Sequence, residues 1–367
     1  MERSNRIIRG VSMKELEFYL KQAVEHQASD LFFVAGGVAS EKHDGIINAV
    51  ESERLMPEDT EKLVCQLYKM AGRSIESYLQ KGDDDFSLAV PGLARFRVNT
   101  YRQRGSMAAV IRVVSFDIPD WQQLNIPESI MQLADVTSGM ILVTGTAGSG
   151  KSTTQACIID RINRTRNCHI VTLEDPIEYL HRHQKSIVSQ REISIDTPDY
   201  LSALRACLRQ APDVILLGEM RDAETIQTAM TAAETGHTVI ATLHTNGAVN
   251  AVDRIVDIFP AAQQYQVRSQ LSSVLKTVVS QQLLPAIDGS QIPAYEIMNM
   301  NSAIRSMVRD SKSHQINNVI ASGGREGMIS MDQSILNLYR DGKISRETAL
   351  RFSDNPDQLL RNIQQPI

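Results

Sequence analysis

GMILVTGTAGSGKSTTQ, residues Gly139 to Gln155, sets the frame for the rest of the chain. An apolar run ends in a glycine-rich turn, and a helical pattern follows. Gly145, Gly150, Lys151 and Ser152 satisfy G-x-x-x-x-G-K-[ST] in the strand–turn–helix context that this motif requires. Glycines let successive backbone N–H groups turn inward on phosphate oxygens, next to a helix N-terminus. The candidate nucleotide-binding set is therefore Gly145, Thr146, Ala147, Gly148, Ser149, Gly150, Lys151, Ser152 and Thr153. Lys151 is expected to reach the β- and γ-phosphates, and Ser152 to ligate Mg²⁺.

Around this motif, CHIVTLED, DVILLGE and HTVIATLH are further short apolar runs separated by helical patterns. That alternation predicts a parallel sheet covered on both faces. Ligands of such sheets bind outside the carboxyl ends of the strands. PDVILLGEMRD closes on Glu219, and a strand beside the phosphate-loop strand would bring that carboxylate to the metal. HIVTLEDPIEY puts Glu174, Asp175 and Glu178 at the end of another strand. These acids read equally as a group that orients or deprotonates water and as the acidic first turn of a helix beginning at Pro176. In TAAETGHTVIATLHTN, His237 and His244 flank one strand, roughly 23 Å apart at about 3.3 Å per residue. One metal ion cannot take both within a chain. His244 is expected on the phosphate side, and His237 on the far side as a structural residue or one that reaches a neighbouring subunit.

Upstream, VSMKELEFYLKQAVEHQASD has a helical apolar face at Leu16, Leu20, Ala23 and Val24, and DLFFVAGG reads as a strand. MPEDTEKLVCQLYKMAG is a second helix, with Pro57 near its start and Gly72 near its end. DFSLAV, ARFRVNTYRQR and MAAVIRVVSF are consecutive strands. This predicts a small α+β domain over residues 1–117, a proline-bearing linker over 118–128, the α/β core over 129–300 and a helical region over 301–367. Arg95, Arg97, Arg102, Arg104 and Arg112 are interrupted by no acid. They fit a solvated sheet face, a nucleic-acid surface or arginines offered to a neighbour's nucleotide.

The formal net charge of −5 gives no whole-chain footprint for nucleic acid, so a nucleic-acid partner is not expected. Cys65, Cys157, Cys168 and Cys207 form no C-x-x-C pair, so reduced thiols and a cytoplasmic setting are expected. No leader-like h-region opens the sequence, and no apolar stretch approaches the ~20 residues of a membrane helix. Any membrane role is expected to run through a docking partner.

In this order the motifs resemble the type II/IV secretion ATPases, and most closely the type IV pilus retraction group. The matching stretches include ARFRVN, QRGSMAAVIR, TGTAGSGKSTT, TLEDPIEY, QREI, PDVILLGEMRD, TAAETGHTVIATLHTN and VVSQQLLP. The resemblance implies an N-terminal PAS-like α+β domain followed by a RecA-like P-loop core with a helical C-terminal region. It implies an Mg²⁺-dependent, ATP-hydrolysing homo-hexamer that docks on an inner-membrane platform protein, possibly alongside a second retraction ATPase. LEDPIE corresponds to the family's Asp box, with Glu174 activating water. LLGEMRD corresponds to its Walker B, with Glu219 at the metal, and AETGHTVIATLH to its His box. Arg97 and Arg112 correspond to arginine fingers acting across the subunit interface, and SAIRS, with Arg305, to the retraction group's AIRG motif. Two stretches depart from the pattern: Thr146-Ala147 in the phosphate loop, and AGGVASEKHDG in the first domain. The extension and secretion branches carry a four-cysteine zinc module, so its absence favours retraction over a protein-secretion or DNA-transfer motor. A third reading is a regulator that binds ATP without hydrolysing it.

Overall fold

A computed structural model of the protein describes residues 15–43, 45–114 and 118–364. It divides into two units, Met1–Phe116 and Asp117–Ile367. In the first unit, period-two burial builds an antiparallel sheet. Its strands are β1 (Asp30–Val34), β2 (Val38–His43), β3 (Ile46–Arg54), β4 (Asp83–Val90), β5 (Ala94–Gln103) and β6 (Ser106–Val114), in spatial order β3-β2-β1-β6-β5-β4. Along β5, Ala94, Phe96, Val98 and Thr100 are buried while Arg95, Arg97, Asn99 and Tyr101 face outward. Helices α1 (Leu16–Glu25), α2 (Pro57–Met70) and α3 (Glu76–Lys81) belong to the same unit, and Tyr19, Leu20, Phe33, Leu63, Leu67 and Phe96 form its core.

The α1 face buries Tyr19 in addition to Leu16, Leu20 and Ala23, and Val24 sits at its margin. Residues 11–14 of the expected helix and 115–117 at the end of the last strand lie outside the described residues. The β2–β3 hairpin and α3 add to the elements that the sequence pattern predicts. No residue of β3 is fully buried, so the strand carries little of the hydrophobic alternation that marks a core-facing strand.

The second unit contains α4 (Glu128–Met131), β7 (Gly139–Thr144), α5 (Lys151–Thr165), β8 (His169–Glu174), β9 (Ile187–Glu192), α6 (Tyr200–Cys207) and β10 (Val214–Leu217). It continues through α7 (Ala223–Glu234), β11 (Thr238–Leu243), α8 (Ala248–Asp257), α9 (Ala261–Val274), β12 (Leu275–Pro285) and β13 (Gln291–Asn299). The sheet order is β13-β12-β7-β11-β10-β8-β9. Every residue of β7, β10 and β11 is buried. Successive side chains of β7 enter opposite cores, Met140 and Leu142 on one face and Ile141 and Val143 on the other. This is the two-sided burial that produces apolar runs without alternation.

Three features differ from the sequence expectation. The sheet is mixed, because β13 pairs antiparallel with β12 at one edge. The strand leading to Glu219 is not beside the phosphate-loop strand, because β11 pairs with both β7 and β10. The proline-bearing segment lies against the second unit, with Ile126 buried and Trp121 and Leu124 packed on the core of that face.

After β13 the chain is helical: α10 (Ser302–Arg309), α11 (Ile316–Ser322), α12 (Met331–Arg340), α13 (Arg346–Phe352) and α14 (Pro356–Gln364). Leu284 of β12 and Ile292 of β13 share a core with Ile335, Leu336, Ala349 and Leu359 of these helices. Arg305 of α10 donates to the carbonyls of Ser272 and Ser273 at the last turn of α9, where helix carbonyls lack partners. No helix among the described residues is long and apolar enough to cross a membrane.

Candidate active site

The carboxyl ends of β7, β8, β10 and β11 open into one cleft of about 530 Å³. The turn between β7 and α5 forms its floor. Gly145 has φ +143°, and a Cβ there would lie 2.3 Å from the Gln281 carbonyl oxygen and 2.6 Å from Ser149 Oγ. No side chain fits. Gly150 caps α5 in the left-handed region at φ +86°. The loop thus exposes the first amides of α5, which is where an anion is held.

Ala147, Gly148, Gly150, Lys151, Ser152 and Thr153 line the cleft. Gly145, Thr146 and Ser149 do not; Ser149 is buried behind the loop. Lys151, 7% exposed, donates from Nζ to the carbonyls of Gly145 at 3.0 Å and Thr146 at 2.7 Å. Burial lowers its pKa, and the negative charges of Glu219 and Glu178 oppose that shift. The ammonium group therefore rests on backbone oxygens within its own loop.

Glu174 ends β8. Its Oε1 accepts from Thr172 Oγ1 at 2.6 Å and from Gln190 Nε2 at 3.3 Å. Burial raises its pKa to about 7, against the opposing effect of those two hydrogen bonds. Residues 175–182 run to β9 without forming a helix, so Glu174, Asp175 and Glu178 are cleft residues and not a helix first turn. Glu219 Oε2 accepts from Arg221 Nε at 2.7 Å, and its Oε1 lies 3.6 Å from His244 Nε2. Ser152 and Glu219 offer the hard oxygen donors that suit Mg²⁺.

His237 lies at the opposite end of β11, its Nδ1 2.9 Å from the Ala232 carbonyl oxygen. Arg97 and Arg112 belong to the first unit and form a directly opposed pair between β5 and β6. Opposed like charges weaken a sheet. Each here has an acid nearby, Arg97 Nε at 3.6 Å from Asp85 and Arg112 Nε at 3.0 Å from Asp30.

Arg221, Gln190, Tyr179 and Tyr200 also shape the cleft, beyond the residues that the motifs mark. Gln190 and Tyr179 lie in QREI and LEDPIEY, where the signal was available as a polar residue on an edge strand and a tyrosine after the acids. Tyr179 Oη is 2.9 Å from Thr153 Oγ1 and ties that segment to α5. Tyr200 Oη would be 2.8 Å from a Cβ placed at Gly218, which keeps the β10 exit narrow. Nothing local in YLSALRAC announces that contact.

The fold and cleft define a nucleotide-binding protein of the P-loop class, with a RecA-like core and an N-terminal sheet domain. The chain belongs to the type II/IV secretion system protein family, whose model matches residues 9–353. It is 42% identical to the type IV pilus retraction ATPase PilT of Pseudomonas aeruginosa over 343 residues, 93% of this chain and 98% of that one. It is 47% identical to a twitching motility protein of Neisseria gonorrhoeae over 283 residues, 77% of this chain and 76% of the relative. A crystal structure of the pilus retraction motor PilT with bound ADP superposes with a TM-score of 0.87 at 45% identity, covering 95% of this chain and all of that one.

The Glu174 environment has a measurable signature. A carboxyl whose folded pKa of about 7 exceeds its unfolded value of 4.5 adds stability below pH 4.5 that is lost as pH rises through 7. Glu174→Gln should therefore stabilise the nucleotide-free protein at pH 8 by on the order of 1–3 kcal/mol, and by much less at pH 5. Trp121, the single tryptophan, packs on the second unit's core and makes denaturant unfolding of that unit readable by fluorescence. A gain of equal size at both pH values would show that Glu174 titrates normally.

Proposed function

We propose that this protein is an Mg²⁺-dependent ATP hydrolase that works as a homo-hexamer and powers type IV pilus retraction, docked on a membrane platform protein. The observation that carries the reading is the convergence of Lys151, Glu174, Glu219 and His244 on one cleft, in a chain that aligns with PilT over nearly its whole length. On binding ATP, Lys151 exchanges the carbonyls of Gly145 and Thr146 for phosphate oxygens, and the loop amides take the remaining charge. Mg²⁺, when bound, supplies charge neutralisation on the phosphates; Ser152 and Glu219 would hold it.

Glu174 acts as the base that orients and deprotonates the attacking water. A carboxyl with a pKa near 7 takes up a proton far more readily than an ordinary one. The Glu219–His244 pair carries the state of the terminal phosphate to β11. Arg97 and Arg112 act on the nucleotide of a neighbouring subunit, exchanging Asp85 and Asp30 for phosphate oxygens.

Lys151→Ala should abolish ATP binding and turnover. Glu174→Gln should keep binding and lower turnover by about 10²–10⁴-fold. The wild-type rate should fall as pH drops through about 7, where Glu174 takes up its proton. Phosphate release unaffected by Lys151→Ala would exclude hydrolysis in this cleft.

Arg97→Ala and Arg112→Ala should each reduce turnover by about 10³-fold or more. Mixing Arg97→Ala with Lys151→Ala subunits should restore part of the rate, because a mixed ring contains intact interfaces. No recovery in the mixture would place the arginines' effect within one chain.

In cells, deletion of the gene should leave more surface pili and abolish surface motility. Bald cells would assign the motor to extension. Unchanged pili would move the same ATPase to protein secretion or DNA transfer.

A further inference from the structure

The first unit holds a second cluster of titratable side chains that the hydrolytic mechanism does not use. His26 directly follows α1. Glu41 and His43 stand two residues apart on β2, so they share one face of the strand. Glu41 Oε1 lies 2.9 Å from His26 Nδ1 and 3.1 Å from His43 Nε2. The Glu41 side chain is only 8% exposed, against 26% for His43 and 48% for His26. Its other oxygen, Oε2, is buried and has no hydrogen-bond partner among the described residues. A buried carboxylate oxygen without a partner is costly, and such an orphan points to a missing ligand.

We propose that His26, Glu41 and His43 form a binding site for a divalent transition-metal cation of the zinc type. One ligand atom from each residue lies within 4.8 Å of the other two. Tetrahedral zinc with bonds of about 2.0–2.1 Å holds its ligands roughly 3.3 Å apart. The two contacts to Glu41 are already near that value, and half-exposed His26 closes the remaining gap by rotating. Two imidazoles and one carboxylate favour zinc over the hard cations Mg²⁺ and Ca²⁺. Three protein ligands leave a fourth tetrahedral position for water on the exposed His26 side. The bound ion would pin the end of α1 to β2, joining His26 and Glu41, which lie fifteen positions apart in sequence.

The test uses the purified full-length chain, stripped with chelator and free of nucleotide. Zinc is titrated against a chromophoric chelator, and cobalt is followed by its visible absorption. One zinc per chain with a Kd below about 100 µM is expected, together with the intense bands of tetrahedral cobalt. His43→Ala should weaken binding at least tenfold, and so should His26→Gln, which changes only a half-exposed side chain and guards against misfolding. Glu219→Ala, in the other unit, should leave the affinity unchanged. A Kd above about 100 µM would overturn the assignment. So would affinity that survives His26→Gln and is lost with Glu219→Ala, since the ion would then be bound in the nucleotide cleft.

Discussion

The approach of Gln281 to Gly145 is the constraint on which the cleft depends. A Cβ at Gly145 would meet the Gln281 carbonyl oxygen at 2.3 Å, so the strand beside β7 presses directly on the phosphate loop. Gln281 also holds the first turn of α5, because its Oε1 accepts from Thr154 Oγ1 at 2.8 Å. Lys151 is the exception to this fixity, since its ammonium rests on the carbonyls of Gly145 and Thr146. A loop held from outside in this way is already shaped for phosphate before any phosphate arrives. Preorganised donors lose little reorganisation energy when charge develops on the substrate.

The charges of the cleft are arranged to be unequal. Glu219 shares its carboxylate with Arg221 and faces His244, so it has cationic company. Glu174 has neutral donors, the side chains of Thr172 and Gln190 and the backbone of Glu178, and burial outweighs them. Two carboxyls in one cleft thereby sit in different surroundings, and burial raises the proton affinity of Glu174, which suits it to exchanging a proton. Lys151 lies between these influences, destabilised as a cation by burial and supported by Glu219 and Glu178.

Much of this could be read in the sequence where backbone needs dictate residue type. The phosphate loop was legible because only glycine tolerates φ +143° and +86° at Gly145 and Gly150. The central strands were legible because burial on both faces leaves uninterrupted apolar runs. β12 and β9 were less so, because Ser280, Gln281 and Gln282 interrupt one and Ser189, Gln190 and Arg191 the other. The role of Gln281 could not be read at all, since it acts partly through a carbonyl that every residue has. LEDPIEY was ambiguous because acids before a proline suit a helix start as well as a cleft; the strand β9 that follows decides between them. The alternation of β5 showed that Arg97 faces outward, but an outward face does not name what meets it.

β12 has a further consequence. Gln281 touches the phosphate loop, and Leu284, three residues along the same strand, is buried among the C-terminal helices. The span between them is about 10 Å. Over so short a length a hydrogen-bonded strand behaves as a stiff rod. The C-terminal helices and the nucleotide seat are thus mounted on one rod, and a pull on either is felt at the other as a tilt of their common support.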